Sequence, residues 1–167
     1  MISKAKHIAE EAITNLYCSI LPQCLGIAEL GCSSGPNALF VALELVITTY
    51  KVYQKLGCQL HEIQVFLNDL PRNDFNTLFK TVTKFQQNLS QEMGKGVRPC
   101  FFMGVLGSFY YKHFLSRSLH FAHSSYSLHW LSQVTKYLSF YSYNNILTKK
   151  EPWNLFGVQL FIRFLQV

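Results

Sequence analysis

Seven residues, CLGIAEL (24–30), make a short apolar run that breaks at Gly31 into the turn GCSSGPN (31–37). That turn opens into a helical pattern lasting to residue 56. A run of this length bounded by glycine is a buried strand rather than a helix. A strand buried on both faces needs strands beside it and helices above or below it. The same unit recurs downstream. EIQVFLND (62–69) is β-rich and precedes NDFNTLFKTVTKFQQNLSQEM (73–93), which has helical spacing and Asn73 or Asp74 to cap its start. RPCFFMGVLGSF (98–109) predicts a third strand and SLHFAHSS (118–125) a fourth. Ile8, Ala12, Leu16 and Ile20 place a helix before the first strand, and YSLHWLSQV (126–134) opens another after the fourth. Helices alternating with strands in this way predict an α/β layer fold with a parallel sheet. From residue 135 onward the aromatic tail shows no period and only Asn144-Asn145 as a turn signal.

The chain's 167 residues suffice for one domain with a proper core. Its formal charge of +6 does not make a nucleic-acid surface, because the basic residues are scattered and only Lys149 and Lys150 are adjacent. Five cysteines, at 18, 24, 32, 58 and 100, are an odd number without metal-type spacing, as expected for free thiols in a reducing compartment. The N-terminus MISKAKHIAEEAITN has acids where a secretion signal needs apolar residues. No apolar stretch approaches the ~20 residues of a membrane span. The expected compartment is the cytosol.

In a parallel α/β sheet, ligands sit outside the carboxyl ends of the strands, where the strand order reverses. Gly31 and Gly35 are placed to let backbone approach a ligand there, with the next helix's first N–H groups facing it. The spacing is Gly-x-x-x-Gly, neither the dinucleotide fingerprint nor a P-loop. Glu29 brings a carboxylate beside the turn, which suits an amino group or positive charge better than a phosphate. The second strand ends at Asn68-Asp69, where an acid can take both hydroxyls of a ribose. Together these point to a nucleoside ligand such as S-adenosylmethionine. The competing reading is an ordinary strand-to-helix turn and a helix-capping aspartate. A zinc site at His120, His123 and His129 is disfavoured, because His120 and His123 alternate across a strand. Cys32 has no neighbouring histidine in sequence to make it a nucleophile, and Phe101-Phe102 is expected in the core.

Three stretches resemble the SABATH family of plant methyltransferases: IAELGCSSGPN (27–37), VFLNDLPRNDFNTLF (65–79) and CFFMGVLGSFYYKHFLSRSLHFAHSSYSLHWLSQV (100–134). Members methylate small carboxylic acids or, in the caffeine synthase branch, purine nitrogens. The resemblance implies a partial class I methyltransferase, a Rossmann-like parallel sheet of order 3-2-1-4 with flanking helices, occupying residues 1–134. It implies S-adenosylmethionine as cofactor, lined by Cys32 and Asn37, with Asp69 on the ribose and Leu70 on the adenine. Ser108 and Phe109 would close the adenine side. Tyr126, His129 and Trp130 would face the acceptor, and His and Trp there go with holding a carboxylate.

The resemblance therefore implies a carboxyl methyltransferase acting on a small plant acid such as salicylate, jasmonate or benzoate. No general base, catalytic side chain or metal is expected, since an ionised carboxylate is already nucleophilic. A xanthine-type nitrogen acceptor is a lesser alternative, and a homodimer is compatible with the family. The chain departs from the pattern at Glu29, where Asp is usual, at Arg72, where Gly is usual, and at Leu106, where Pro is usual. Members are longer at both ends, and their later strands and helical cap are expected to be missing here. A chain lacking them could also be a catalytically incomplete remnant that binds cofactor weakly or pairs with a full-length relative. Residues 135–167 are expected to be unrelated to the family and to leave the fourth strand as an exposed edge.

Overall fold

The computed structural model describes residues 11–16, 22–57, 62–93, 100–109, 111–115, 118–125 and 159–163. In chain order these form α1 (residues 11–16), β1 (Cys24–Leu30), α2 (Pro36–Lys55), β2 (Glu62–Asp69), α3 (Phe75–Met93), β3 (Cys100–Leu106), β4 (Phe121–Ser125) and β5 (Gln159–Arg163). The sheet order is β3-β2-β1-β4-β5. The first four strands are mutually parallel, with Leu30 opposite Asn68, Asn68 opposite Val105 and Glu29 opposite His123. The expected order 3-2-1-4 is present, and the chain reverses direction across the sheet between β3 and β4. The switch point therefore lies at β1 and β4, with the crevice outside their carboxyl ends.

The fourth strand is not an edge. β5, drawn from the tail beyond residue 135, pairs antiparallel with β4, Phe121 opposite Arg163 and Ser125 opposite Gln159. The sequence expectation failed because an edge strand is set by backbone pairing, which needs no hydrophobic period.

Period-two alternation divides the sheet's side chains between two faces. On one face, Leu25, Ile27, Ile63, Val65, Leu67 and Phe121 pack under Leu45 and Val46 of α2, Leu78 and Phe85 of α3, and Ile13 and Leu16 of α1. Phe85 meets Phe102 edge to face with centroids 5.0 Å apart, worth about 0.5–1.5 kcal/mol beyond the area buried. The other face is thinner, with Ala28, Phe66 and Ala122 covered by Phe114 and Leu119 from the segment between β3 and β4. Phe101 and Phe102 consequently part company. Phe102 packs against the helical core, while Phe101 on the opposite face is 47% exposed, contrary to the expectation that both are core.

Local signals explain the helix ends. α3 is capped by Asp74, whose carboxylate accepts from the Thr77 N–H at 3.0 Å and the Thr77 hydroxyl at 2.6 Å. α2 begins without a side-chain cap: Gly35 is the N-cap and Pro36 fixes the first turn. Its far end stops at Gly57, whose φ of 65° is left-handed and whose N–H reaches the Gln54 carbonyl at 3.1 Å.

Candidate functional site

The carboxyl ends of β1, β2 and β3 release three short loops, and hydrogen bonds from two consecutive residues of β2 hold all three together. The main-chain carbonyl of Asn68 accepts from both the Gly31 and the Cys32 N–H at 2.9 Å each. Asp69 then divides its carboxylate. Oδ2 accepts from the Ser33 N–H at 2.5 Å and Oδ1 from the Leu70 N–H at 2.7 Å. Its main-chain carbonyl accepts from the Gly107 N–H at 2.8 Å. The Asn68 side-chain amide donates to the carbonyls of Val105 at 2.9 Å and Gly107 at 3.0 Å.

The glycine turn owes its shape to two left-handed residues, Gly31 at φ 74° and Ser33 at φ 57°. Gly35 adds nothing to that shape: its φ of −77° suits any residue, and a Cβ there would meet nothing within 4 Å. Ser33 reaches the left-handed region despite its side chain, and the resulting turn aims its N–H at Asp69. On the other loop, Gly107 has φ 139°, and a Cβ would lie 2.3 Å from the His113 ring. That ring is held at Ser108, with Nε2 2.8 Å from the carbonyl oxygen. The carbonyl can only accept, so Nε2 carries the hydrogen.

The arrangement gathers Cys32, Asp69, Leu70, Ser108 and Phe109 around one end of the sheet. Asn37 lies in the first turn of α2, immediately beyond the glycine turn. Tyr126, His129 and Trp130, expected on the acceptor side, lie outside the described residues. Cys32 is buried, and burial, followed by the nearby Asp69 and Glu29 carboxylates, pushes its thiol up to about 12. It stays protonated near neutral pH, which disagrees with a nucleophile. The Asn73 side-chain nitrogen lies 4.0 Å from its sulfur.

Two histidines of the disfavoured zinc reading have structural partners instead. His120 Nδ1 accepts from the Gly26 N–H at 3.0 Å, and burial holds its pKa below the usual imidazole value. His123 Nδ1 lies 2.5 Å from Glu29 Oε2, with both side chains buried. Glu29 is thereby turned to a partner in the sheet rather than presented to a ligand at the turn, as the sequence had suggested. Among the described residues no group of three potential metal ligands comes together. No described helix is long and apolar enough to cross a membrane.

The site also tests whether S-adenosylmethionine fits. A carboxylate offers about four lone-pair positions, and the two N–H groups on Asp69 leave the rest for hydroxyls. Leu70 beside it is 40% exposed, an apolar surface ready for a flat ring. The residues present suit a nucleoside ligand. The residue that sequence reading missed is Asn68, noted only as one of two polar residues ending a strand.

Comparison with known proteins follows the same line. The family described as SAM dependent carboxyl methyltransferase matches residues 1–154. A benzoic acid/salicylic acid carboxyl methyltransferase of Petunia hybrida is 49% identical over 134 residues, covering 80% of this chain and 38% of that protein. A probable caffeine synthase of Coffea canephora is 42% identical over 139 residues, covering 80% of this chain and 36% of its own length. Among solved structures, a loganic acid methyltransferase with SAH superposes with a TM-score of 0.60 at 35% identity, over 80% of this chain and 36% of that one. The chain thus spans little more than a third of the curated relatives it matches.

Proposed function

Since this chain belongs to the family of S-adenosylmethionine-dependent carboxyl methyltransferases, we propose that it binds that cofactor at the three-loop end of its sheet and methylates the carboxylate of a small plant acid. The observation that carries the reading is Asp69. Its carboxylate is oriented by the Ser33 and Leu70 N–H groups and keeps acceptor capacity for the two ribose hydroxyls. Leu70 would cover one face of the adenine, and Ser108 and Phe109 would close its edge. Cys32 and Asn37 would line the remainder of the cofactor pocket. Higher identity to the benzoic acid/salicylic acid enzyme, 49%, than to the probable caffeine synthase, 42%, favours a carboxylate over a purine nitrogen as acceptor.

When bound, S-adenosylmethionine supplies an electrophilic methyl group on a sulfonium. The acid is ionised near neutral pH and needs no base to activate it. The work of this chain is alignment, which can lower a barrier by about 7–11 kcal/mol when two reactants are held in line. His129 and the Trp130 indole N–H would donate to the acceptor carboxylate, and Tyr126 would pack on the rest of the acid. Exclusion of water would help further, because anion and cation combine into neutral products.

Calorimetric titration with S-adenosylhomocysteine tests the cofactor reading. The wild-type chain should bind, and Asp69→Ala should weaken binding about tenfold or more, the scale of one or two charge-assisted hydrogen bonds. Absence of binding by the folded wild-type chain would overturn it. Salicylate, benzoate and jasmonate, incubated with methyl-labelled cofactor, then report the acceptor as labelled ester. Binding without any ester would leave the chain a cofactor-binding module and remove the acid-methylating part of the proposal.

A further inference from the structure

Asn68 is fully buried, yet only half of its side-chain amide is satisfied. Nδ2 donates twice, to Val105 and Gly107, whereas Oδ1 has no hydrogen-bond partner. A buried orphan acceptor is costly, and an apolar side chain of the same shape would avoid that cost. Stability alone is a poor reason for asparagine here. What the amide does supply is a donor pair aimed at two carbonyls of the loop that leads into Ser108 and Phe109.

Its main chain works in the opposite direction across the sheet. The Asn68 carbonyl takes both the Gly31 and Cys32 N–H groups, so it sets the position of the glycine turn. One residue therefore grips the loop after β1 with its backbone and the loop after β3 with its side chain. Asp69, next in the chain, sits between the two. Asp69 makes a second such link, with its carboxylate on the Ser33 N–H and its main-chain carbonyl on the Gly107 N–H, so the two residues hold the flanking loops together. Fixing that separation is what a rigid ligand spanning both loops requires, because a site loosened by about 1 Å loses much of its preorganisation.

We propose that Asn68 is a positioning residue that sets the spacing between the ribose side and the adenine side of the cofactor site. This role rests on the cofactor reading above. It makes no contact with cofactor and takes no part in methyl transfer. Its effect should appear in affinity for S-adenosylhomocysteine, separately from any effect on folding.

The test compares wild type with Asn68→Asp and Asn68→Leu, both near the original in size. Each keeps the main-chain carbonyl and removes the amide donors. In the folded protein near pH 7.5, both should raise the Kd for S-adenosylhomocysteine about tenfold, the loss expected of two hydrogen bonds that order a loop. The aspartate variant carries a further signature. On acidification its carboxyl gains an O–H that can donate to one of the two carbonyls. Its Kd relative to wild type at the same pH should therefore fall from about pH 8 to about pH 5.5, while that of the leucine variant stays flat. A residue that only stabilised the fold would lower the melting temperature and leave the Kd of the folded protein unchanged.

Should both variants fail to fold, amide hydrogen exchange on the wild type decides. Adding S-adenosylhomocysteine should protect Gly31, Cys32 and Gly107 together. Protection of one loop without the other, or variants that bind within about twofold of wild type, would overturn the positioning role and leave the cofactor reading standing. Failure of the wild type itself to bind would overturn both.

Discussion

Glu29 and His123 face each other across β1 and β4, with Oε2 and Nδ1 2.5 Å apart and side chains 2% and 1% exposed. The register that pairs their Cα atoms puts both on the helical face of the sheet, where water cannot replace a lost partner. β4 runs directly on toward residues 126–130, and β1 runs into the glycine turn. The pair therefore ties together the two strands flanking the switch point.

Removing either partner should be expensive. Truncation of one member of a buried, hydrogen-bonded pair costs about 3–5 kcal/mol, because the other is left desolvated. Glu29→Leu and His123→Leu should each fall in that range by urea denaturation. The double variant should lose clearly less than the sum, giving a coupling energy of about 1 kcal/mol or more in a double-mutant cycle. Additive losses would mean that the two groups do not depend on one another.

Gly26 is constrained by a backbone rather than by its own dihedrals. It bonds His120 twice, N–H to Nδ1 at 3.0 Å and carbonyl to the His120 N–H at 2.9 Å. A Cβ here would lie 1.9 Å from the Ser118 carbonyl oxygen. Main chain cannot swing aside as a long side chain can. Gly26→Ala should destabilise by about 3 kcal/mol, the upper end for overpacking, whereas Gly35→Ala, with open space around it, should be close to neutral. Thermal melts of the two variants side by side check the contrast.

Much of this architecture could be read from the chain because burial and period were consistent. Ile27 and Val65 lie in apolar runs of strand length, and Leu78, Val82, Phe85 and Leu89 keep helical spacing through α3. The place of Asp69 followed from where loops leave parallel strands, whereas Cys32 and Ser108 were marked by the family resemblance. What escaped was decided by relations that no local pattern carries. β5 is held by main-chain pairing, so its residues need no recognisable period. Phe101 and Phe102 looked alike until the pleat sent them to faces covered by different amounts of chain. Glu29 seemed a ligand for a positive charge because its partner, His123, lies 94 residues away. Asn68 was invisible as a hub for the same reason, since its partners arrive from two other loops.

The buried thiols give the fold a pH dependence. Burial is the main cause pushing both Cys32 and Cys100 up to about 12 from 9.0, with carboxylates adding to the first and Cys24 to the second. The folded chain then holds these protons where the unfolded chain releases them. For groups raised in the folded state, the contribution to stability is complete below about pH 9 and is lost as pH rises toward about 12. The slope is about 1.4 kcal/mol per pH unit for each cysteine at full effect. Urea denaturation near pH 8 and pH 10 should show the decline, and Cys32→Ala with Cys100→Ala should flatten it. At neutral pH, iodoacetamide should label neither residue until denaturant is added.

Ser33 carries the last and most local expectation. At φ 57° it occupies a region that costs a non-glycine residue about 1 kcal/mol, and it directs its N–H to Asp69 at 2.5 Å. Ser33→Gly removes that strain but adds freedom to the unfolded chain, so stability should stay within about 0.5 kcal/mol of wild type. Ser33→Val cannot do the same. A β-branched side chain in this region should cost about 1–2 kcal/mol more or drive the residue out of it. If the residue moves, Asp69 loses the N–H that orients Oδ2, and affinity for S-adenosylhomocysteine should fall with it. Wild-type affinity in Ser33→Val would show that the turn's left-handed residue shapes the loop without serving Asp69.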